Sequence, residues 1–331
     1  MLRIENILCG KKVDVEEISN IRLGYTGRFV DDSFKATEYN LTVEHASDFP
    51  SLDGFLLDDY YNRDNLSSGW FKIQKNVDKY TVTKNIHSAY AEATYQFTSR
   101  WIVNLGLKYD YVDINVDYNV NRGGSEGSNT IRKDYFLPSL NLKYNLNEKH
   151  SLRLGASKTY TLPQAKEISP YRYVGVNFNS QGNPNLKPSD NYNFDLKWDF
   201  NPSPTELVSL TAFYKHIKDP ISRIEVASAG GYLSYENISD RATVAGVEVE
   251  IRKNLFVRPL SSAANGMNKL SFGLNGSYIY TNAKMPLATV TTGSQLEGAA
   301  PWIANFDLSH HFTRDERSFV NTLVLNYVSD K

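Results

Sequence analysis

The chain has 331 residues with 36 basic and 37 acidic side chains, and a net charge of -1 gives nucleic acid no electrostatic handle. Its single cysteine, Cys9, excludes an internal disulfide and any cysteine-built zinc site, and no apolar run reaches the ~20 residues a membrane helix needs. The aromatics stand out: 22 Tyr, 16 Phe and 4 Trp, with 20 Gly, favour strands and turns over helices.

At the start, Met1 to Gly10 has neither the basic residues nor the apolar stretch of a secretory signal. That leaves a cytoplasmic protein or a chain lacking its true start. Residues Ile18 to Val30 read as a strand, with Asp31-Asp32-Ser33 as a short turn. Lys84 to Phe97, Trp101 to Asn119 and Tyr235 to Lys253 read as long strands. Trp101, Val103, Leu105, Leu107, Tyr109 and Tyr111 alternate with Asn104, Gly106, Lys108 and Asp110. Leu140 to Leu146, Tyr192 to Phe200, Ala304 to Phe312 and Phe319 to Tyr327 repeat that period of two, which a pleated strand sorts onto opposite faces.

A soluble sandwich and a membrane barrel both produce such alternation. Sandwich strands are short, about 5–6 residues, whereas membrane strands run to ~10 or more with aromatics at both interfaces. These segments are long and their alternate face is heavily polar. The connections add a second argument. Short ones at 98–100, 146–149, 201–204 and 313–317 nearly alternate with long ones at 120–130, 162–187, 218–234 and 282–298. Short turns at one rim and long loops at the other are the habit of outer-membrane barrels. The expected fold is therefore all-β, an antiparallel transmembrane β-barrel of roughly 12 strands. Following strand direction from turn to loop places both chain ends on the extracellular side. The expectation is one partial barrel domain over 1–331, an open curved sheet from a larger barrel, without plug, first strands or C-terminal strands.

Several ordered motifs resemble a family. Leu137-Pro138-Ser139-Leu140-Asn141-Leu142-Lys143-Tyr144 is similar to the LPSLNLxY strand of TonB-dependent receptors of the Bacteroidetes type. Gly182-Asn183-Pro184-Asn185-Leu186-Lys187-Pro188 resembles their GNPxLKPE motif, with Ser189-Asp190 at the usual glutamate position. Tyr235-Glu236-Asn237 with Gly246-Val247-Glu248-Val249-Glu250, and Gln295 to Trp302 with Asn305, resemble later strands of the family. The resemblance covers about Asn85 to Lys331. It implies an outer-membrane importer whose plug, pulled by the TonB complex, admits a small nutrient ligand: an iron chelate, cobalamin, glycan or peptide. The plug and the TonB-contact segment have no counterpart in these residues. The prolines of both motifs are expected to set turns and strand entry, because proline cannot donate to a ladder. Gly246 and Gly276 are expected to relieve crowding.

Candidate chemistry is sparse. His45, His87, His150, His216, His310 and His311 are scattered, and the adjacent pair His310 and His311 points to opposite faces. Asp31-Asp32 and Asp58-Asp59 are too few oxygens for calcium and read as solvated acids. Gly123-Gly124-Ser125-Glu126-Gly127 lacks the Lys-Ser/Thr of a phosphate loop and reads as a loop tip. No catalytic set, metal site or cofactor is expected. The candidate ligand surface is the loop Leu162 to Lys187, through Tyr171, Arg172, Tyr173, Asn177 and Phe178, with Tyr60 and Tyr61 second. Tyrosine and arginine give stacking area and directional donors with few rotors. The bland alternative is that they pack the loop over the barrel mouth. The leading function is TonB-dependent uptake across the outer membrane, in contact with its lipid. A passive porin-like barrel, a barrel enzyme and a soluble sandwich are the alternatives.

Overall fold

The computed structural model describes residues 2–6, 20–43, 62–121, 125–175, 178–226, 231–260, 266–283, 296 and 298–330, and for 2–6 and 125 the backbone alone. The strands are β1 (Leu2–Asn6), β2 (Asn20–Val43), β3 (Phe71–Gln96), β4 (Trp101–Val120), β5 (Ser125–Asn145), β6 (His150–Thr161), β7 (Arg172–Tyr173) and β8 (Asn179–Gln181). They continue as β9 (Ser189–Phe200), β10 (Leu207–Lys218), β11 (Ile221–Val226), β12 (Tyr232–Asn237), β13 (Arg241–Pro259), β14 (Met267–Ala283), β15 (Trp302–Arg314) and β16 (Arg317–Val328). Twelve of them form one sheet, in the order β1-β2-β3-β4-β5-β6-β9-β10-β13-β14-β15-β16, and every neighbouring pair is antiparallel. Among the described residues nothing pairs β16 with β1, so the sheet is open, as expected.

The turns follow from side-chain chemistry. Thr98 Oγ1 accepts from the backbone N–H groups of Arg100 and Trp101, both at 3.2 Å. Asn147 Oδ1 does the same for Lys149 and His150 at 2.9 Å. Such short side chains mimic a backbone turn and close a hairpin without a long loop. Asp315, at φ 54, turns β15 into β16.

The outward face of the sheet carries an exposed apolar stripe. Leu105, Leu107, Leu154, Phe194, Leu196 and Leu323 are each at least 43% exposed, which in water would be an aggregation surface. Aromatics bound the stripe at both ends. Trp101 lies tilted against Tyr144 (4.3 Å) and His150 stacks on Phe200 (4.4 Å) at the turn end. Tyr109 meets Phe136 (5.2 Å) and Phe29 meets His87 (5.3 Å) at the loop end. From Trp101 to Tyr111, ten steps of ~3.3 Å tilted by about 40° rise roughly 25 Å, the height of an outer-membrane apolar band. The opposite face is polar. Asn104 Nδ2 donates to Glu92 (2.6 Å) and Thr94 (2.8 Å), and buried Asp199 receives Arg153 (3.4 Å) and Lys197 (3.5 Å).

Above the loop-end aromatics the two faces exchange character while the strands run on. On β4 the outward residues become Asp113, Asn115 and Asp117, and the inward ones Val112, Ile114 and Val116, all at most 1% exposed. On β3, inward Tyr80, Val82 and Ile86 are buried likewise. The outside of the wall now meets water, and its inside meets folded loops. This exchange corrects the turn expected at Asp31-Asp32-Ser33. β2 runs through them unbroken, pairing Asp31 with Thr83 and Ser33 with Thr81. Asp31 follows Phe29 on the outward face, where the stripe ends.

Four further expectations change. The strand expected over Tyr235 to Lys253 is two strands in different sheets, β12 and β13, because the chain bends back at Asp219 and Asp240, joined by a 3.3 Å backbone bond. The loop expected at 120–130 is shorter, since Val120 already pairs with Ser125 and Gly127 lies in β5 opposite Tyr118. Pro138 sits inside β5 rather than at its entry, and the β5–β6 ladder stops beside it at Ser139↔Ser157. One register shift marks β13, where Leu255 is an extra residue between the pairs Asn254↔Ser271 and Phe256↔Leu270. Gly246 is crowded as expected, since a Cβ there would collide with the Phe213 ring and the Tyr278 carbonyl. Gly276 faces open space, so crowding does not account for it.

The lipid stripe gives a direct test. Leu105→Lys in the full-length protein is expected to cost ~2–4 kcal/mol of folding stability in lipid, and Asp117→Lys, beyond the aromatic ring, less than about 1 kcal/mol. Urea titration in vesicles measures both, and equal costs would contradict the placement of the band.

Candidate functional site

The long loops after β6 and β10 fold as one unit at the loop end. β7, β8, β11 and β12 make a second sheet in the order β11-β12-β8-β7, and β12 and β8 pair in parallel through Tyr232↔Asn179 and Leu233↔Ser180. Its fasteners are asparagines. Asn237 Nδ2 donates to the Lys187 and Asp219 carbonyls at 2.9 Å each, and its Oδ1 accepts from the Lys187 N–H at 2.9 Å. Asn183 Nδ2 donates to the Tyr235 carbonyl (2.9 Å), and the Asn183 N–H to the Glu167 carbonyl (2.6 Å). Asn129 on the wall donates to the Pro184 carbonyl.

The motif Gly182 to Pro188 is therefore a structural clasp. A Cβ at Gly182 would collide with the carbonyl oxygens of Lys166 and Ser169, around the single helical turn Ala165–Ile168, so only glycine admits this approach. Pro184 lies in a turn and Pro188 immediately precedes β9, as expected of them.

The loop lands on the inward apolar patch of β3, β4 and β5. Ile168 and Leu186 are buried there with Val82, Ile86, Val112, Ile114, Val116 and Tyr135. Tyr171 and Tyr173 meet Phe34 of β2 at 4.7 and 5.6 Å and each other edge-on at 4.6 Å. The hydroxyls of Tyr173 and Tyr80 are 2.6 Å apart. Burial first, and the hydrogen bond to Tyr80 second, push the Tyr173 phenol well above its ordinary range, so it stays a neutral hydroxyl. Lys166 Nζ lies 4.6 Å over the Tyr173 ring.

Of the five candidate ligand residues, Tyr171 and Tyr173 thus form an aromatic anchor with Phe34 and Tyr80. Arg172 projects to the other side of β7, its guanidinium 5.1 Å from the Tyr232 ring. Phe178 is 63% exposed at the loop tip beside Val174 at 64%. Asn177 lies outside the described residues, as do Tyr60, Tyr61, Asp58, Asp59 and His45. The sequence reading missed Phe34, Tyr80, Asn183 and Asn237. The sequence placed Asn183 in a proline-set turn and Asn237 in a strand, and nothing in either segment pointed to the other. Between the loop sheet and the inner faces of β6, β9 and β10 lies a cavity of about 460 Å³. The described histidines are dispersed: His87 bonds Tyr25 (2.6 Å), His310 bonds Asn268 (2.8 Å), and His150 and His216 lie against aromatic rings.

A wall with an apolar stripe outside, polar side chains inside and a folded cap over one rim defines an outer-membrane β-barrel chain. The chain belongs to the TonB-dependent receptors: residues 15–330 match the family described as "TonB dependent receptor-like, beta-barrel". It is 26% identical over 203 residues to the "Iron-regulated outer membrane virulence protein" of Vibrio cholerae serotype O1, a match covering 58% of this chain and 28% of that protein. The chain thus spans about a quarter of the length of that curated relative. In fold it is similar to "the ferric yersiniabactin uptake receptor FyuA from Yersinia pestis", with TM-score 0.52 and 14% identity over 93% of this chain and 44% of that one. It is also similar to "the siderophore receptor PiuA from Acinetobacter baumannii", with TM-score 0.51 and 12% identity over 93% and 46%.

Asn237→Ala removes three hydrogen bonds, two of which join the two loops, each contributing about 0.5–1.5 kcal/mol. Faster hydrogen exchange and proteolysis are expected across both 162–187 and 218–240, with the wall unchanged. Loosening of one loop alone would show that the asparagine does not couple them.

Proposed function

We propose that this chain forms the wall and cap of an outer-membrane receptor that imports an iron chelate, with energy from the TonB complex. The observation that carries this is the cap itself, a two-loop sheet anchored over a polar lumen. A passive pore has no use for such a lid. The iron-regulated and siderophore-receptor relatives support an iron chelate over cobalamin or glycan. A plug domain from outside residues 1–331 is the part that TonB would pull. Transport, not catalysis, is the activity.

Within the cap, Arg172 and Phe178 are proposed to touch the chelate, with Asn177 between them in sequence. Tyr171 and Tyr173 hold the platform that presents them. Arginine supplies forked donors for chelate oxygens, and an exposed phenylalanine supplies a stacking face.

Radioiron uptake by cells carrying the full-length receptor tests this against a panel of ferric siderophores. Uptake is expected to require both the receptor and TonB. Arg172→Ala should lower chelate affinity about tenfold, or ~1.4 kcal/mol. Uptake that persists without TonB would instead identify a passive barrel.

A further inference from the structure

The outward face of β2 does not stop at the lipid stripe. Ile21, Leu23, Tyr25 and Phe29 lie on the stripe, each at least 37% exposed. The same face continues through Asp31 and Ser33 to Lys35, Thr37, Tyr39 and Leu41. In the ladder with β3, Lys35 stands directly opposite Lys79, Tyr39 opposite Lys75, and Leu41 opposite Ile73. The three lysines are exposed, as are Tyr39 (64%), Leu41 (48%) and Ile73 (50%). Among the described residues no carboxylate forms an ion pair with Lys35, Lys75 or Lys79. Like charges directly opposite on a sheet repel, so the fold gains nothing from setting Lys35 against Lys79. Six steps of ~3.3 Å from Phe29, tilted by about 40°, put the lysine pair roughly 15 Å above the loop-end aromatics, and ten steps put Tyr39 roughly 25 Å above them.

We propose that this column binds a phosphorylated sugar in the headgroup of the outer-leaflet glycolipid, with the phosphate shared by Lys35 and Lys79 and a sugar ring against Tyr39. Two observations favour this occupant over a protein. The column is continuous with the lipid face, so a molecule whose acyl chains lie along Ile21 to Phe29 carries its headgroup up the same strand. The charge is complementary as well, since one phosphate between two ammonium groups turns their repulsion into attraction. Asp117 lies in the row just below the lysines, beside Thr81 and Ser33, and Asp31 lies one row lower. Both acids face outward and repel an anion from those levels, which holds the phosphate at the lysine row. Tyr39 presents a ring face to sugar C–H groups, Leu41 and Ile73 extend that apolar surface, and Lys75 beside Tyr39 offers a further anion contact. The column lies outside the lumen, so it acts independently of the imported ligand.

Native mass spectrometry of the full-length receptor in detergent tests this by titration with two lipopolysaccharides. One carries phosphates on its core sugars, and the other lacks them but keeps the phosphates of its lipid A. The wild type is expected to bind the first about tenfold more tightly than the second. Lys35→Gln with Lys79→Gln should remove that preference, and so should raising the salt from ~0.05 M to ~0.5 M. The double variant should melt no lower than the wild type, because the two lysines oppose each other. Tyr39→Ser leaves the charges in place and should weaken the first lipopolysaccharide about threefold. Equal affinity of the wild type for both lipopolysaccharides would put the anion at lipid A and overturn the assignment, as would an unchanged preference in the double variant. In cells, a photo-crosslinker at Thr37 is expected to trap lipopolysaccharide. A crosslink to a protein alone would replace the glycolipid with a protein partner.

Discussion

In hydrocarbon no water is present to satisfy a backbone N–H or C=O, so every such group must find its partner on a neighbouring strand. That constraint dictates long antiparallel ladders, and the ladders dictate the rest. Once β2 to β5 are locked in register across the band, their pleat continues upward past it. The side chains keep alternating, but the media on the two faces have changed. Lipid gives way to water outside, and a wet lumen gives way to packed loops inside. The cap is seated on a patch that exists because the same strands rise beyond the membrane. Val112, Ile114 and Val116 of the patch are direct continuations of the lumen positions Lys108 and Asp110.

Much of this was legible beforehand. The alternation in Trp101 to Tyr111, the turn chemistry at Thr98 and Asn147, and the sorting of short and long connections gave the barrel. The failures share one cause. Asp31-Asp32-Ser33 looked like a turn because a polar pair interrupted an apolar stripe. In the structure the interruption marks the edge of the membrane, and a sequence carries no label for the medium beside each residue. The same blindness took Val120 to Thr130 for a longer loop, since strands in water above a membrane carry polar residues on the outward face. Tyr235 to Lys253 reads as continuous, and only the tertiary bond between Asp219 and Asp240 divides it into β12 and β13.

The site was legible as residue types and not as an arrangement. Tyr171 and Tyr173 stand out in the sequence as candidate ligand contacts, with packing of the loop as the alternative, but their partner Tyr80 lies 93 positions before Tyr173. Nothing local could say that they would face the wall while Arg172 faced away. The asparagine fasteners were hidden for the same reason. Asn183 and Asn237 belong to different loops, one in a turn and the other at the end of a strand, and the carbonyls they fasten are far from each in sequence. Because Asn237 serves three backbone groups at once, the two loops share one fate. Displacement of either should carry the other, and with it the cavity they border.

The extra residue at Leu255 bears on how such a wall changes over evolutionary time. Within the band, inserting or deleting one residue would turn every later side chain on that strand to the wrong face. Only even changes in length keep lipid residues on the lipid side. Leu255 lies four positions past Ile251, which is aligned through Val208 with the aromatic Phe200 at the turn end. There neither face is committed to hydrocarbon, and an odd count is absorbed without inverting the strand. Lineages of this wall should therefore accumulate single-residue indels at its rims and differ by multiples of two across its middle.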